Sequence, residues 1–195
     1  VVLATNDPPA LLFYNPRKGS FAPIQDAHMA LHSTAGELAL TDVNGDGSVD
    51  ILALQPLLNQ VALLRGTSDS IVSYQTPELY AVGEWPSSLK VDDVTDDKLK
   101  DLVVVTKGGL VLVRAEPGGK FAPPEVLDAG LSSLTDIELH DVNEDGRLDI
   151  IGLDQSNEKL AFILSTPQGS FGAAIKVSTM AMPGFLPSGG LFVAE

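Results

Sequence analysis

An acidic nonapeptide returns three times in this chain, each time just ahead of an apolar run. The copies are residues 42–50 (DVNGDGSVD), 93–101 (DVTDDKLKD) and 141–149 (DVNEDGRLD), and their first residues lie 51 and then 48 positions apart. A period of about fifty residues means one supersecondary unit stacked against copies of itself, a tighter constraint on the fold than composition supplies.

Numbered from its first Asp, each copy places side-chain oxygens at positions 1, 3, 5 and 9, with a backbone carbonyl available at position 7. Alternate oxygens on a tightly curled backbone converge on a point, which suits hard Ca²⁺ and its six to eight oxygen ligands at about 2.3–2.6 Å. Copy one offers Asp42, Asn44, Asp46, the Ser48 carbonyl and Asp50. Copy three offers Asp141, Asn143, Asp145, the Arg147 carbonyl and Asp149. Copy two offers Asp93, Thr95, Asp97, the Leu99 carbonyl and Asp101, but Lys98 stands where the others have Gly47 and Gly146. Lys98 and Lys100 lower the negative potential there, so the expectation is two strong calcium sites and a weaker one in copy two. Turns rich in Asp, Asn and Gly also form without metal. Three copies with nine carboxylates in register favour the metal, because unpaired carboxylates a few ångströms apart repel. An EF-hand is excluded: its position 12 needs a bidentate Glu, and here that position is Ala53, Val104 or Gly152.

A second element keeps the same frame. Gly19-Ser20-Phe21, Gly119-Lys120-Phe121 and Gly169-Ser170-Phe171 repeat at fifty-residue offsets, and Ile71 stands where the missing Phe is expected. Two short apolar runs lie between loop and Phe, as in Ile51 to Leu54 and Val61 to Leu64. Each unit therefore reads as four short strands, one entering the loop, one leaving it, a third returning and a fourth before the next unit. No stretch sustains a 3.6-residue period. Four-stranded units repeated radially make an all-β architecture, a β-propeller. The recurring Phe is expected to pack between blades.

The G-x-F-[AG] element joined to D-x-N-x-D-G-x-x-D resembles the FG-GAP/VCBS-type repeat found in integrin α-subunit propellers and many bacterial secreted proteins. The resemblance implies calcium clamping the loop between the first and second strands of each blade. The departures at Thr95, Lys98 and Ile71 bear on calcium in that blade and not on the fold. The frame sets blades at about 1–35, 36–85, 86–134 and 135–184, with 185–195 the first strand of a further or closing blade. Because Val1 aligns with Ile51, and Gly190 to Glu195 align with a strand running into a loop, two readings fit: a compact four-bladed ring, or four blades of a larger propeller.

The net charge of −14, with 12 Lys and Arg and no basic cluster, argues against nucleic acid. No apolar run reaches the length of a membrane helix, so membrane insertion is not expected. Cysteine is absent, so disulfides say nothing of compartment, but calcium loops of this kind suit an extracellular or periplasmic setting. The chain reads as a mature or excised piece. His28 and His32 are four apart on a segment expected to be strand or loop, which is not a metal pair, and His140 reads as a packed or solvated neighbour of Asp141. Trp85 is expected in an inter-blade core contact, with a sugar-stacking platform as the alternative. No nucleophile elbow, zincin helix, phosphate loop or dinucleotide fingerprint occurs. These features point to a non-catalytic, calcium-stabilised propeller that binds a protein or carbohydrate ligand. The alternatives are a scaffold domain of a secreted polysaccharide-acting lyase or hydrolase, or a purely architectural part of a larger assembly.

Overall fold

The computed structural model describes residues 2–6, 9–15, 22–30, 33–67, 74–127, 129–131, 133–154 and 157–178. They form four larger antiparallel sheets in chain order and one separate two-stranded hairpin. The first has three strands, β1 (Val2–Asn6), β2 (Pro9–Asn15) and β3 (Ala22–Ala30). The second runs β4 (Leu38–Thr41), β5 (Asp50–Gln55), β6 (Gln60–Leu64) and β7 (Glu78–Ala81). In the third, β8 (Ser88–Asp92), β9 (Asp101–Thr106) and β10 (Gly109–Val113) lead through a small hairpin, β11 (Ala115–Glu116) with β12 (Lys120–Phe121), to the outer strand β13 (Glu125–Leu127). The fourth is β14 (Asp136–His140), β15 (Asp149–Asp154), β16 (Lys159–Ile163) and β17 (Ile175–Ser178). Between β5 and β6 the backbone makes a short 3₁₀ turn at Pro56–Leu58.

The unbroken apolar runs of the second strands follow from how these sheets stack. Strand side chains alternate faces, and here both faces are covered. From β5 and β6, Leu52, Leu54, Val61 and Leu63 pack against Leu102, Val104, Val111 and Val113 of the third sheet. The alternate set, Ile51, Ala53, Ala62 and Leu64, packs towards Leu11 of the first sheet. The third sheet repeats the arrangement, turning Val103, Val105, Leu110 and Leu112 to Ile137, Ile150, Ala161 and Ile163 of the fourth. A strand buried on both faces cannot afford polar alternation, so β5, β9 and β15 are buried from end to end. The chain is all-β and of the β-propeller type, with four-stranded meanders stacked face to face.

The first strands β4, β8 and β14 lie side by side along the inner edge of this stack. There Lys90 reaches across three sheets, with Nζ 2.9 Å from Glu138 and 3.5 Å from Glu37. Burial pulls the lysine down, but the hydrogen bond to Glu138 and the charge of Glu37 outweigh it and hold its pKa above the ordinary value. Glu37 also accepts from the Leu89 N–H (2.7 Å), so the inner edge is tied by charge as well as packing.

Two expectations change. Phe121 is buried among side chains of the second and third sheets and meets the Tyr80 ring edge-on at 5.1 Å, an inter-blade contact. In the second sheet, however, the pairing position of Phe121 (with Ala115) and Phe171 (with Ser165) is held by Tyr74, which pairs with Gly66. The connecting turn is two residues longer there, so a fixed fifty-residue offset selects Ile71, which lies outside the described residues. Trp85 is also not a core contact: it is 58% exposed. His28 sits in β3, paired with Leu12. His32, Phe21 and residues 190–195, on which the ring-or-excerpt question turned, lie outside the described residues.

Candidate metal loops

Each acidic nonapeptide links the first and second strands of a sheet, β4 to β5, β8 to β9 and β14 to β15. The first Asp of each folds the loop by accepting its N–H groups. Asp42 accepts from Gly45 (2.8 Å), Asp46 (3.2 Å) and Gly47 (2.7 Å). Asp93 accepts from Asp97 (3.1 Å) and Lys98 (2.7 Å), and Asp141 from Asp145 (3.0 Å) and Gly146 (2.7 Å). The curl forces position 6 into positive φ in all three: Gly47 +84°, Lys98 +69° and Gly146 +86°. Glycine takes that conformation at no steric cost, and Lys98 does not. At position 5, Asp46, Asp97 and Asp145 accept from the N–H groups of Ser48, Leu99 and Arg147 at 2.7, 2.8 and 3.0 Å.

The ninth residue does something the spacing did not reveal. Asp50, Asp101 and Asp149 are fully buried. One oxygen of each accepts from the second residue of its own loop, Val43, Val94 or Val142 (3.0, 3.3 and 3.1 Å). The other accepts from the residue that opens the small hairpin, Gly66, Ala115 or Ser165, at 2.8 Å in each case. The carboxylate is thus a clasp between loop and hairpin. Burial pushes Asp50 and Asp101 up, and their N–H partners oppose it without cancelling it. The missed signal was the small residue fourteen to sixteen positions downstream.

Convergence separates the loops. Oxygens of Asp93, Asp97 and Asp101 lie within 4.8 Å of one another, and this is the one such carboxylate triad among the described residues. Oxygens that share an ion at about 2.3–2.6 Å can stand that far apart, so the triad fits calcium. Thr95 Oγ1 is buried beside the Asp101 carboxylate, close enough to favour its charge, yet without a hydrogen bond of good geometry. It is an oxygen lacking a partner at the position where a ligand is needed. In the other two loops the position-5 carboxylate has turned to a nitrogen: Asn44 Nδ2 donates to Asp46 (2.9 Å) and Asn143 Nδ2 to Asp145 (3.0 Å). Arg147 adds a 2.6 Å ion pair to Asp145. Copy two, expected from the sequence to be the weakest site, is the one whose carboxylates already converge. Lys100 does not spoil the triad because its Nζ pairs with Asp92 at 2.9 Å.

The G-x-F turn of each following sheet lies over the preceding loop. Arg65 Nη2 donates to the Gly119 carbonyl (2.8 Å) and Arg114 Nη2 to the Gly169 carbonyl (3.0 Å). A Cβ on Gly119 would stand 2.6 Å from Arg65 Nη1 and 2.8 Å from Asn44 Cβ; one on Gly169 would stand 2.7 Å from the Thr95 carbonyl. Both glycines also have positive φ. Arg65 is anchored by Glu78 at 2.6 Å, and Tyr80 Oη donates to the same carboxylate (2.7 Å). Burial first and this bond second push the Tyr80 phenol up to about 12.

Residues 93–152 match the FG-GAP-like repeat. The match begins at the first Asp of the converging loop and runs through the third. Among curated proteins no relative matches. Two solved structures are similar at 15% identity. An Agrocybe aegerita lectin that recognises non-reducing terminal N-acetylglucosamine aligns over 87% of this chain and 60% of its own, with a TM-score of 0.40. The Photorhabdus luminescens Tc holotoxin pore aligns over 90% of this chain and 12% of its own, with a TM-score of 0.41. The chain thus spans less than two thirds of either. No helix among the described residues is long and apolar enough to cross a membrane.

Proposed function

We propose that this chain is a non-catalytic, calcium-stabilised module that binds a protein or carbohydrate ligand outside the cytosol. The observation that carries the calcium reading is the Asp93, Asp97 and Asp101 triad with the unpartnered Thr95 oxygen beside it. Asp93, Thr95, Asp97 and Asp101 are the side chains that would hold the ion, whose positive charge would offset carboxylate repulsion. Loops 42–50 and 141–149 are secondary sites, where Asn44 and Asn143 must first release Asp46 and Asp145. The non-catalytic reading is supported by where the buried acids are spent. Asp50, Asp101 and Asp149 hold two backbone N–H groups apiece and tie loop to hairpin. Sites of this class in extracellular modules work at about 10⁻⁴–10⁻³ M calcium, which favours a setting outside the cytosol.

The test is isothermal titration of the chelator-stripped chain with calcium, with stoichiometry as the readout. One tight event that Asp97→Asn removes is expected, followed by weaker ones. A chain that binds no calcium at millimolar concentration and melts alike with and without EDTA would overturn the reading.

A further inference from the structure

The single tryptophan of the chain lies at the end of the sheets opposite the acidic loops. Trp85 follows β7, and its N–H donates to Asn59 Oδ1 (2.8 Å), the residue that closes the β5–β6 turn. Its φ is +49°. Asn tolerates the left-handed region, as Asn59 does at +57°, but a bulky aromatic there is an outlier. Such strain persists only where the surroundings over-determine it, and it clusters at ligand-binding positions. The surroundings here do so. Val82 N–H donates to the Asn59 carbonyl (3.1 Å), Lys107 N–H to the Glu84 carbonyl (2.9 Å) and Ser87 N–H to the Val105 carbonyl (2.9 Å), while Pro86 is buried. The fold thus rigidly holds a large apolar side chain out in water, where burying it in the core would have stabilised the protein.

We propose that Trp85 is the stacking platform of a saccharide subsite that takes the apolar face of one pyranose ring. This deepens the binding-module reading and rests on it. The choice of occupant follows from size and composition. Leu57 and Leu58 on the adjoining turn are the other exposed apolar residues there, and the surround is polar: Asn59, Glu84, Ser87 and Lys107 are exposed. A stable protein interface takes roughly 20–30 residues a side with an apolar centre. One indole with two leucines is far smaller than that and matches a single sugar ring, with the rim groups placed for hydroxyls.

Because no other tryptophan contributes, the emission spectrum reads this side chain alone. The whole chain in calcium is titrated with neutral oligosaccharides (maltotriose, cellotriose, chitotriose and galactobiose) and screened on a glycan array. At least one saccharide is expected to shift the emission to the blue saturably. Trp85→Ala should weaken its binding at least tenfold, and Trp85→Phe should keep it within tenfold of the parent. Trp85→Gly should abolish binding without lowering the melting temperature, since glycine relieves the positive φ. Saccharide binding that Trp85→Ala leaves unchanged would overturn the subsite while leaving the module reading intact. No glycan signal at all would overturn the subsite too, and the module reading would then turn on a protein ligand.

Discussion

In loop 93–101 three carboxylates converge beside an unpartnered hydroxyl, whereas in loops 42–50 and 141–149 the central carboxylate has turned to an asparagine amide. Copy two carries Lys98 and Lys100 at positions 6 and 8 and Thr against Asn at position 3. It is the position-3 amide that the central carboxylate meets in the other two. An asparagine brings a nitrogen with its oxygen, and without an ion that nitrogen neutralises part of the repulsion the loop was built with. Threonine has a single hydroxyl, which lies beside Asp101 and leaves Asp97 without a side-chain amide to turn to. The loop whose lysines argued for the weakest site is thus the one whose three carboxylates converge, a difference that charge read along a sequence does not register.

The comparison is broken most severely at the residue all three loops share. Asp101→Ala leaves the Val94 and Ala115 N–H groups buried and unpaired, at about 1–3 kcal/mol each, so a loss of roughly 2–6 kcal/mol is expected. Urea denaturation in EDTA measures it free of metal. Asp50→Ala and Asp149→Ala should cost similar amounts there, because the clasp is common to the three. If Asp101→Ala were silent in EDTA, the ninth position would be a ligand and nothing more.

Calcium addition then separates the loops. A site filled at a hundredfold excess over its Kd adds about 2.7 kcal/mol. Asp97→Asn should remove the first such increment, seen as the calcium-dependent rise in melting temperature, and Asp46→Asn and Asp145→Asn should not. The opposite pattern would restore the order expected from the sequence.

The convergence of one loop and not the others marks the limit of what could be read from residues alone. Strand order and the loop positions were legible, because apolar runs, glycine turns and a fifty-residue period are local signals. The clasp was not: Asp50 and Gly66 are sixteen residues apart and meet only once β5 and β6 pair. Tyr74 was hidden by a two-residue insertion that a fixed offset cannot see. Trp85 was misplaced because apolar character argues burial, and only the backbone around Asn59 decides that the ring faces water.

Lys98 offers a smaller test in the opposite direction. Its φ of +69° is taken by glycine in the sister loops, so Lys98→Gly should stabilise the chain by about 1 kcal/mol if the strain outweighs the extra freedom of the unfolded chain. It should also tighten calcium binding by removing a nearby positive charge. Thermal melts with and without calcium check both, and a destabilised variant would show that the lysine side chain makes up for its backbone.

The smallest expected effect concerns how each loop is tied to the next sheet. At loop one Arg65 is nearly buried and holds Glu78 at 2.6 Å; at loop two Arg114 and Glu125 are more exposed and stand 3.5 Å apart. The Arg65 hydrogen bond, aided by Tyr80 and opposed by burial, keeps Glu78 below its ordinary 4.5. A carboxylate lowered on folding contributes stability that is whole above its unfolded pKa and lost as pH falls through the folded one. The gap in stability between the parent and Glu78→Gln should therefore hold steady from pH 7 to about 5 and close below 4.5. Since the Glu78 side chain is 40% exposed, solvent screening limits the gap to roughly 0.2–1 kcal/mol. Glu125→Gln should cost less than Glu78→Gln at pH 7, because the Arg114–Glu125 pair is longer and more exposed. A gap for Glu78→Gln that survives unchanged at pH 3 would mean the tie works by packing and hydrogen bonding rather than charge, and the two loops would then be joined to their neighbours by the same means.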